Sequence, residues 1–107
     1  MRRTLPGEIW RVDFGLAAKA RPAHILSDYP KDDELALLVV VPHTTAMRGN
    51  RWELGIKKPL LKNPGGFHLQ QIQPISPAHF DARPGVRSPD EFTIVKTALV
   101  RLLNLDH

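Results

Sequence analysis

The residues best suited to chemistry in this 107-residue chain fall in two short segments. Arg21 heads Arg-Pro-Ala-His-Ile-Leu-Ser, and Pro42-His43-Thr44-Thr45 closes an apolar run. An arginine cation, an imidazole and two hydroxyls, with no carboxylate nearby in sequence, can hold a phosphodiester and stabilise extra negative charge on its oxygens. Each member also has an ordinary structural reading. A strand-edge arginine is commonly a solvated charge, threonines after a strand cap loose backbone groups, and a lone histidine beside a strand packs. His24 lies inside a strand pattern and reads as packing. No His-x-His, His-x-x-x-His or acidic cluster has ligand spacing, so no metal site and no cofactor is expected. Gly65-Gly66 lacks the following helix and lysine of a phosphate loop.

Stepping outward, the two segments need strands to bring them together. Gly7 to Phe14 alternates Glu8, Trp10, Val12 and Phe14 with Ile9, Arg11 and Asp13, the period of a half-buried strand. Ala23 to Ser27 reads as a second strand behind Pro22, and Leu35 to Val41, rich in valine, as a third buried on both faces. The acidic stretch between them, Asp28 to Glu34, is a turn by composition, so an antiparallel hairpin is the default. A hairpin sets the start of one strand beside the end of its neighbour. Arg21 and Pro42–Thr45 are therefore expected at one rim, within a few residues of register.

Trp52 to Ile56 and Phe67 to Ile75 are further strand candidates, separated by the turn-rich Lys57–Gly66 stretch. Ser76-Pro77 marks a very short helix. At the C-terminus the period changes. Ser88-Pro89-Asp90-Glu91 reads as a capping box with proline at the first helical position. Phe92, Val95, Leu99, Leu102 and Leu103 then form one apolar face of about four turns. Strands followed by one terminal helix predict a mainly β chain, a small barrel or curved antiparallel sheet closed by the helix, in a single domain spanning 1–107.

Composition narrows the function classes. With no cysteine there is no disulfide scaffold, thiol nucleophile or thiolate zinc site. Ten prolines argue against a helical bundle. The longest apolar run, Leu35 to Pro42, is far short of the ~20 residues of a membrane span, and Met-Arg-Arg-Thr starts no export signal, so a cytoplasmic location is expected. The net charge is +4, unevenly spread: residues 43–75 carry five basic groups and one acidic, Glu53, whereas 28–34 carry four acidic and one basic. Residues 1–27 are basic as well, five groups against two acidic. Two basic segments suit a polyanion, and nucleic acid is the commonest one, although lysines and arginines also simply solvate loops.

Three segments in order, Gly7-Glu8-Ile9-Trp10-Arg11-Val12-Asp13-Phe14, Arg21-Pro22-Ala23-His24-Ile25-Leu26-Ser27 and Val39-Val40-Val41-Pro42-His43-Thr44-Thr45, resemble the opening of the MazF/PemK family of toxin endoribonucleases. The resemblance continues through Gln70-Gln71-Ile72-Gln73-Pro74-Ile75 to the terminal helix. It implies an SH3-like barrel, usually a homodimer, that cuts single-stranded RNA without a metal. It also implies a cognate antitoxin, which we expect to bind through an acidic, disordered tail. The family's catalytic arginine matches Arg21 and its catalytic threonine Thr44, with His43 as a candidate helper. Lys19, Thr45, Arg48, Arg51 and Gln70 are the expected RNA-binding residues. The implied reaction is transesterification by the RNA's own 2′-OH.

Two departures stand out. The Gly15–Ala20 segment is shorter than is common in the family, where it covers the RNA groove in many members. Gln70 replaces an aspartate that many members carry. The alternative reading is a non-catalytic nucleic-acid-binding barrel of the same fold. Seven aromatics, mostly at expected core positions, leave little for base stacking. A barrel reading proline-rich ligands needs an aromatic groove that a single tyrosine, Tyr29, does not supply.

Overall fold

Alternation along the first segment produces β1 (Glu8–Val12), and the arginine-led segment produces β2 (Arg21–Ile25). In the computed structural model, which describes residues 3–15, 20–55, 65–83 and 85–106, five more strands follow. They are β3 (Leu38–Thr44), β4 (Glu53–Leu54), β5 (Gly66–His68), β6 (Gln73–Ile75) and β7 (Val86–Arg87), and the chain ends in α1 (Pro89–Leu102). All pairings are antiparallel, in the order β4-β5-β3-β2-β1-β7, with β6 also on β3. The chain is mainly β with a C-terminal helix, as expected. Among the described residues the ladder does not close into a ring: β4 and β7 remain its two ends.

The expectation of a half-buried first strand is corrected, because β1 is covered on both sides. Ile9 joins Val41, Phe67 and Leu69 under Val95 and Leu99 of α1. Its neighbours Trp10 and Val12 join Ala23, Ile25, Leu38, Val40 and Phe80 on the opposite face. One sheet thus carries two cores, and a side chain's parity in its strand decides which it enters. Each fully buried Ile, Leu, Val or Phe contributes roughly 1.5–3 kcal/mol. Glu8 is buried as well, and its Oε1 accepts from Leu5 N–H at 2.8 Å and Trp10 Nε1–H at 3.0 Å. A carboxylate so bonded avoids the cost of an unsatisfied buried group.

Other boundaries move for physical reasons. The third strand begins at Leu38, not Leu35, and runs on through Thr44; Leu35 and Leu37 are 79% and 40% exposed in the preceding turn. The expected single strand over Phe67–Ile75 is broken by a 3₁₀ turn, Leu69–Gln71. That break sits beside Pro42. Leu26 N–H donates to Val39 O and Val39 N–H to Ser27 Oγ, so odd-numbered β3 residues turn their backbone groups toward β2. Pro42 therefore faces the other edge, where it has no N–H to offer, and the ladder lapses there. The fourth strand covers only Glu53–Leu54; Ile56 lies outside the described residues. β7 had no clear signal in the sequence.

The expected short helix forms as a 3₁₀ turn, Pro77–His79, with Ser76 Oγ accepting from Ala78 N–H. Ser88 caps α1 differently from a capping box: its hydroxyl donates to the Glu91 carboxylate and does not accept a backbone N–H. Val95 and Leu99 are buried, Phe92 and Leu102 partly so, whereas Leu103 lies past the last turn and is half-exposed. Asn104 (φ 56°) ends the helix in the left-handed conformation, with Leu105 N–H donating to Val100 O and Asn104 N–H to Arg101 O. No described helix is long and apolar enough to cross a membrane.

Candidate active site at the β2–β3 rim

The β2–β3 register pairs Ala23 with Pro42, His24 with Val41 and Ile25 with Val40. Continued by two residues, it sets Arg21 opposite Thr44. Since odd-numbered β3 residues face β2 with their backbone groups, Arg21 and Thr44 fall at a non-hydrogen-bonded position. Cross-strand side chains come closest there, with Cα atoms ~4.5 Å apart. Parity also puts both on the Trp10 face, because Ala23, Ile25 and Val40 all enter that core. The Arg21 guanidinium carbon stands 5.2 Å from the centre of the Phe14 ring, which packs against the same core. A cation over an aromatic face is oriented without being neutralised.

Thr44 is buried at the strand end, and its Oγ1 accepts from Ala46 N–H at 3.1 Å. That bond leaves the hydroxyl proton to donate elsewhere. On its other side Thr44 is pressed by Gly65. A Cβ at residue 65 would lie 2.1 Å from Thr44 O and 3.0 Å from His43 Cε1. Glycine is the residue that fits there, and its φ of +150° also suits no other side chain. The sequence marked Pro64-Gly65-Gly66 only as a turn.

His43 points to the opposite face. Its ring meets Phe67 edge-on at 5.5 Å, inside the core beneath α1. Burial holds its pKa below the usual imidazole value, and the Arg21 charge lowers it further, so the ring is neutral at pH 7. His24, one strand over, packs between Phe67 (5.4 Å, edge-on) and Phe92 (5.6 Å, stacked). Neither of its ring nitrogens has a hydrogen-bond partner among the described residues, and burial pushes its pKa down to about 4 despite attraction from Glu91. The expected packing role of His24 is what the structure displays. Of the expected rim set, Arg21 and Thr44 come together while His43 turns away.

The expected RNA-binding residues scatter. Thr45 is exposed just after β3, and Arg48 is exposed four residues after Thr44. Arg51 lies over the Trp52 ring at 4.5 Å and lines a cavity of about 530 Å³ with Leu54, Ile94 and Arg101, so it turns toward α1 and away from the rim. Gln70 is exposed on the 3₁₀ turn after β5. Lys19 lies outside the described residues, as do Lys57, Lys58, Lys62 and most of the Gly15–Ala20 segment. Among the described residues no group of three or more His, Cys, Asp or Glu could hold a metal ion.

One residue at the site had little signal in the sequence. Glu53 is buried at the start of β4, and its carboxylate accepts from Arg48 N–H (2.8 Å to Oε2) and Asn50 N–H (2.8 Å to Oε1). The bond from Arg48 does most to hold its pKa below the usual glutamate value, followed by that from Asn50, and Gly49 adds a further backbone bond. Its only sequence signature was that it stands alone among basic neighbours.

The fold and rim define a mainly antiparallel β-protein whose polar end is backed by a C-terminal helix. The chain belongs to the PemK-like, MazF-like toxins of type II toxin–antitoxin systems, the family whose model matches residues 5–103. Its fold is shared by solved structures of low identity. A mycobacterial endoribonuclease in complex with its cognate antitoxin is 23% identical, with 97% of this chain and 96% of that chain covered and a TM-score of 0.72. The MazE–MazF crystal structure from Deinococcus radiodurans is 19% identical, covering 97% and 98%, at a TM-score of 0.75. The Mycobacterium tuberculosis toxin MazF-mt6 is 20% identical, covering 91% and 96%, at 0.66. No match is found among curated proteins.

Proposed function

We propose that this chain is a cytoplasmic endoribonuclease that cleaves single-stranded RNA by transesterification. The observation that carries the reading is the placement of Arg21 opposite Thr44 on one face of the β2–β3 rim. In the reaction the 2′-oxygen of the RNA bonds to the adjacent phosphorus and the bond to the 5′-oxygen breaks. A proton leaves the 2′-OH and one is added to the departing 5′-oxygen, so the products are a 2′,3′-cyclic phosphate and a 5′-OH. The nucleophile belongs to the substrate, and the protein's task is to stabilise charge on the phosphorane. The Arg21 guanidinium supplies a fixed positive charge. The Thr44 hydroxyl, already accepting from Ala46 N–H, donates to a non-bridging oxygen as charge builds there.

Arg48 and Thr45, exposed beyond the strand end, contact phosphates of the bound strand, with Lys19 and Gln70 as outer contacts; Arg51, turned toward α1, is left out of the set. The chain works as one domain over 1–107 and pairs as a homodimer. Its regulator is a cognate antitoxin whose acidic tail folds onto the basic surface, a partner class supported by the antitoxin-bound relatives. The test is incubation of the purified chain with single-stranded RNA in EDTA. Discrete fragments are expected. An absolute requirement for Mg²⁺ would overturn the reading, and tight RNA binding without cleavage would favour a non-catalytic barrel.

A further inference from the structure

The segment that follows Thr44 carries Arg48 and leads directly into β4, yet it has almost no regular structure of its own. What organises it is a single carboxylate. Glu53 Oε2 accepts from Arg48 N–H at 2.8 Å and Oε1 from Asn50 N–H at 2.8 Å. Two amides converge on one anion because Gly49, between them, takes a φ of +80°, which turns the backbone so that the N–H groups on either side face one concave side. Two local bonds complete the shape: Glu53 N–H donates to Asn50 O at 3.3 Å and Trp52 N–H to Asn50 Oδ1 at 2.9 Å. The Thr44 hydroxyl holds the near end through Ala46 N–H at 3.1 Å.

From this geometry we infer that Glu53 is a positioning residue: its carboxylate fixes the 45–52 loop so that the Arg48 side chain is held outward beside Thr44, where it meets the RNA backbone. The inference rests on the nuclease reading above and extends it to a residue that touches neither substrate nor the reacting atoms. It explains why the one acidic residue among basic neighbours in 43–75 does not repel RNA. Its charge is buried and spent on backbone N–H groups, and the loop's arginines are left to face solvent. Charge-assisted bonds to two amides are stronger than the neutral turn bonds a glutamine would make. A glutamine also offers one acceptor oxygen in place of two and turns an NH₂ donor toward N–H groups.

The test compares Glu53→Gln with the wild-type chain in three readouts. Amide exchange at residues 48–50 is expected to speed up by about tenfold to a hundredfold, as bonds to a charged acceptor are lost. With single-stranded RNA, KM is expected to rise about tenfold while kcat changes less than about threefold, and the salt dependence of binding is expected to flatten, as Arg48→Ala should also make it do by removing a phosphate contact. Glu53→Asp, which keeps the charge, recovers part of the loss. Wild-type KM and salt slope in Glu53→Gln would overturn the inference. So would tighter RNA binding, which would mean that the carboxylate competes with phosphate for the Arg48 and Asn50 amides. Should Glu53→Gln fail to fold, Gly49→Ala decides by the same readouts. A Cβ at residue 49 meets nothing within 4 Å, so that change strains only the turn. If the wild-type chain cleaves no RNA, the nuclease reading fails, and the exchange comparison still decides whether Glu53 anchors the loop.

Discussion

The two faces of the central sheet use similar residue types for opposite ends. Beneath α1, His24 and His43 are packed edge-on against Phe67, their pKa values lowered by burial. On the other face, the β2–β3 register continued two residues past Ala23 and Pro42 sets Arg21 opposite Thr44, with a charge and a hydroxyl left to act outward. A one-residue step along β3 separates a core histidine from a candidate catalytic threonine. Residue type alone does not sort chemistry from packing here. Strand parity does, because it decides which side chains meet the helix and which meet the rim.

The contrast makes definite predictions. Arg21→Ala and Thr44→Ala should each lower the cleavage rate by ~10²–10³, since each removes a donor to the developing charge, while circular dichroism stays that of the wild type; Thr44→Ala, which also loses the bond from Ala46 N–H, should cost about 1 kcal/mol of stability. Gly65→Ala should cost cleavage by roughly 10²-fold, because the new Cβ would sit 2.1 Å from Thr44 O and force that strand end to shift. Circular dichroism checks that its fold survives. On the helix face the effect moves from activity to stability. Phe67→Ala should lose about 3–5 kcal/mol in denaturant unfolding, as expected for deleting a buried phenyl ring.

The buried His24 gives that face a pH signature. Its folded pKa of about 4 lies below the unfolded value near 6.5, so the unfolded chain takes up the proton first. Stability from this group is complete above pH ~6.5 and falls as the pH drops toward 4. The loss reaches about 3 kcal/mol, since each pKa unit corresponds to ~1.4 kcal/mol. Urea melts at pH 7 and pH 4.5 should show it, and His24→Leu should remove most of the difference. The smallest effect is expected from His43→Phe. A ring on the helix face keeps the Phe67 contact, and cleavage should stay within about threefold of wild type. A much larger drop in kcat would mean that His43 reaches the reaction after all.

Much of the rim was legible in the sequence, and what was not has physical causes. The meeting of Arg21 with the Pro42–Thr45 segment followed from treating two consecutive strands as a hairpin, a local rule that needs no tertiary information. His43 neighbours them in sequence, but the pleat turns its ring to the helix face, which proximity along the chain does not reveal. The start of β3 was misplaced because an apolar run does not reveal where pairing begins, and Leu35 and Leu37 are spent on an exposed turn. The single strand over Phe67–Ile75 failed for a tertiary reason, the missing N–H of Pro42 on the facing strand. Glu53 was nearly invisible because its partners are backbone amides, and no pattern of side chains announces them.

The most direct test of the account is end-group analysis of single-stranded RNA cut in EDTA by the wild-type chain and by Arg21→Ala and Thr44→Ala. The account predicts 2′,3′-cyclic phosphate and 5′-OH ends from the wild type, and at least a ~10²-fold slower appearance of those ends with either variant. Products bearing a 3′-OH, or full activity in Arg21→Ala, would contradict it.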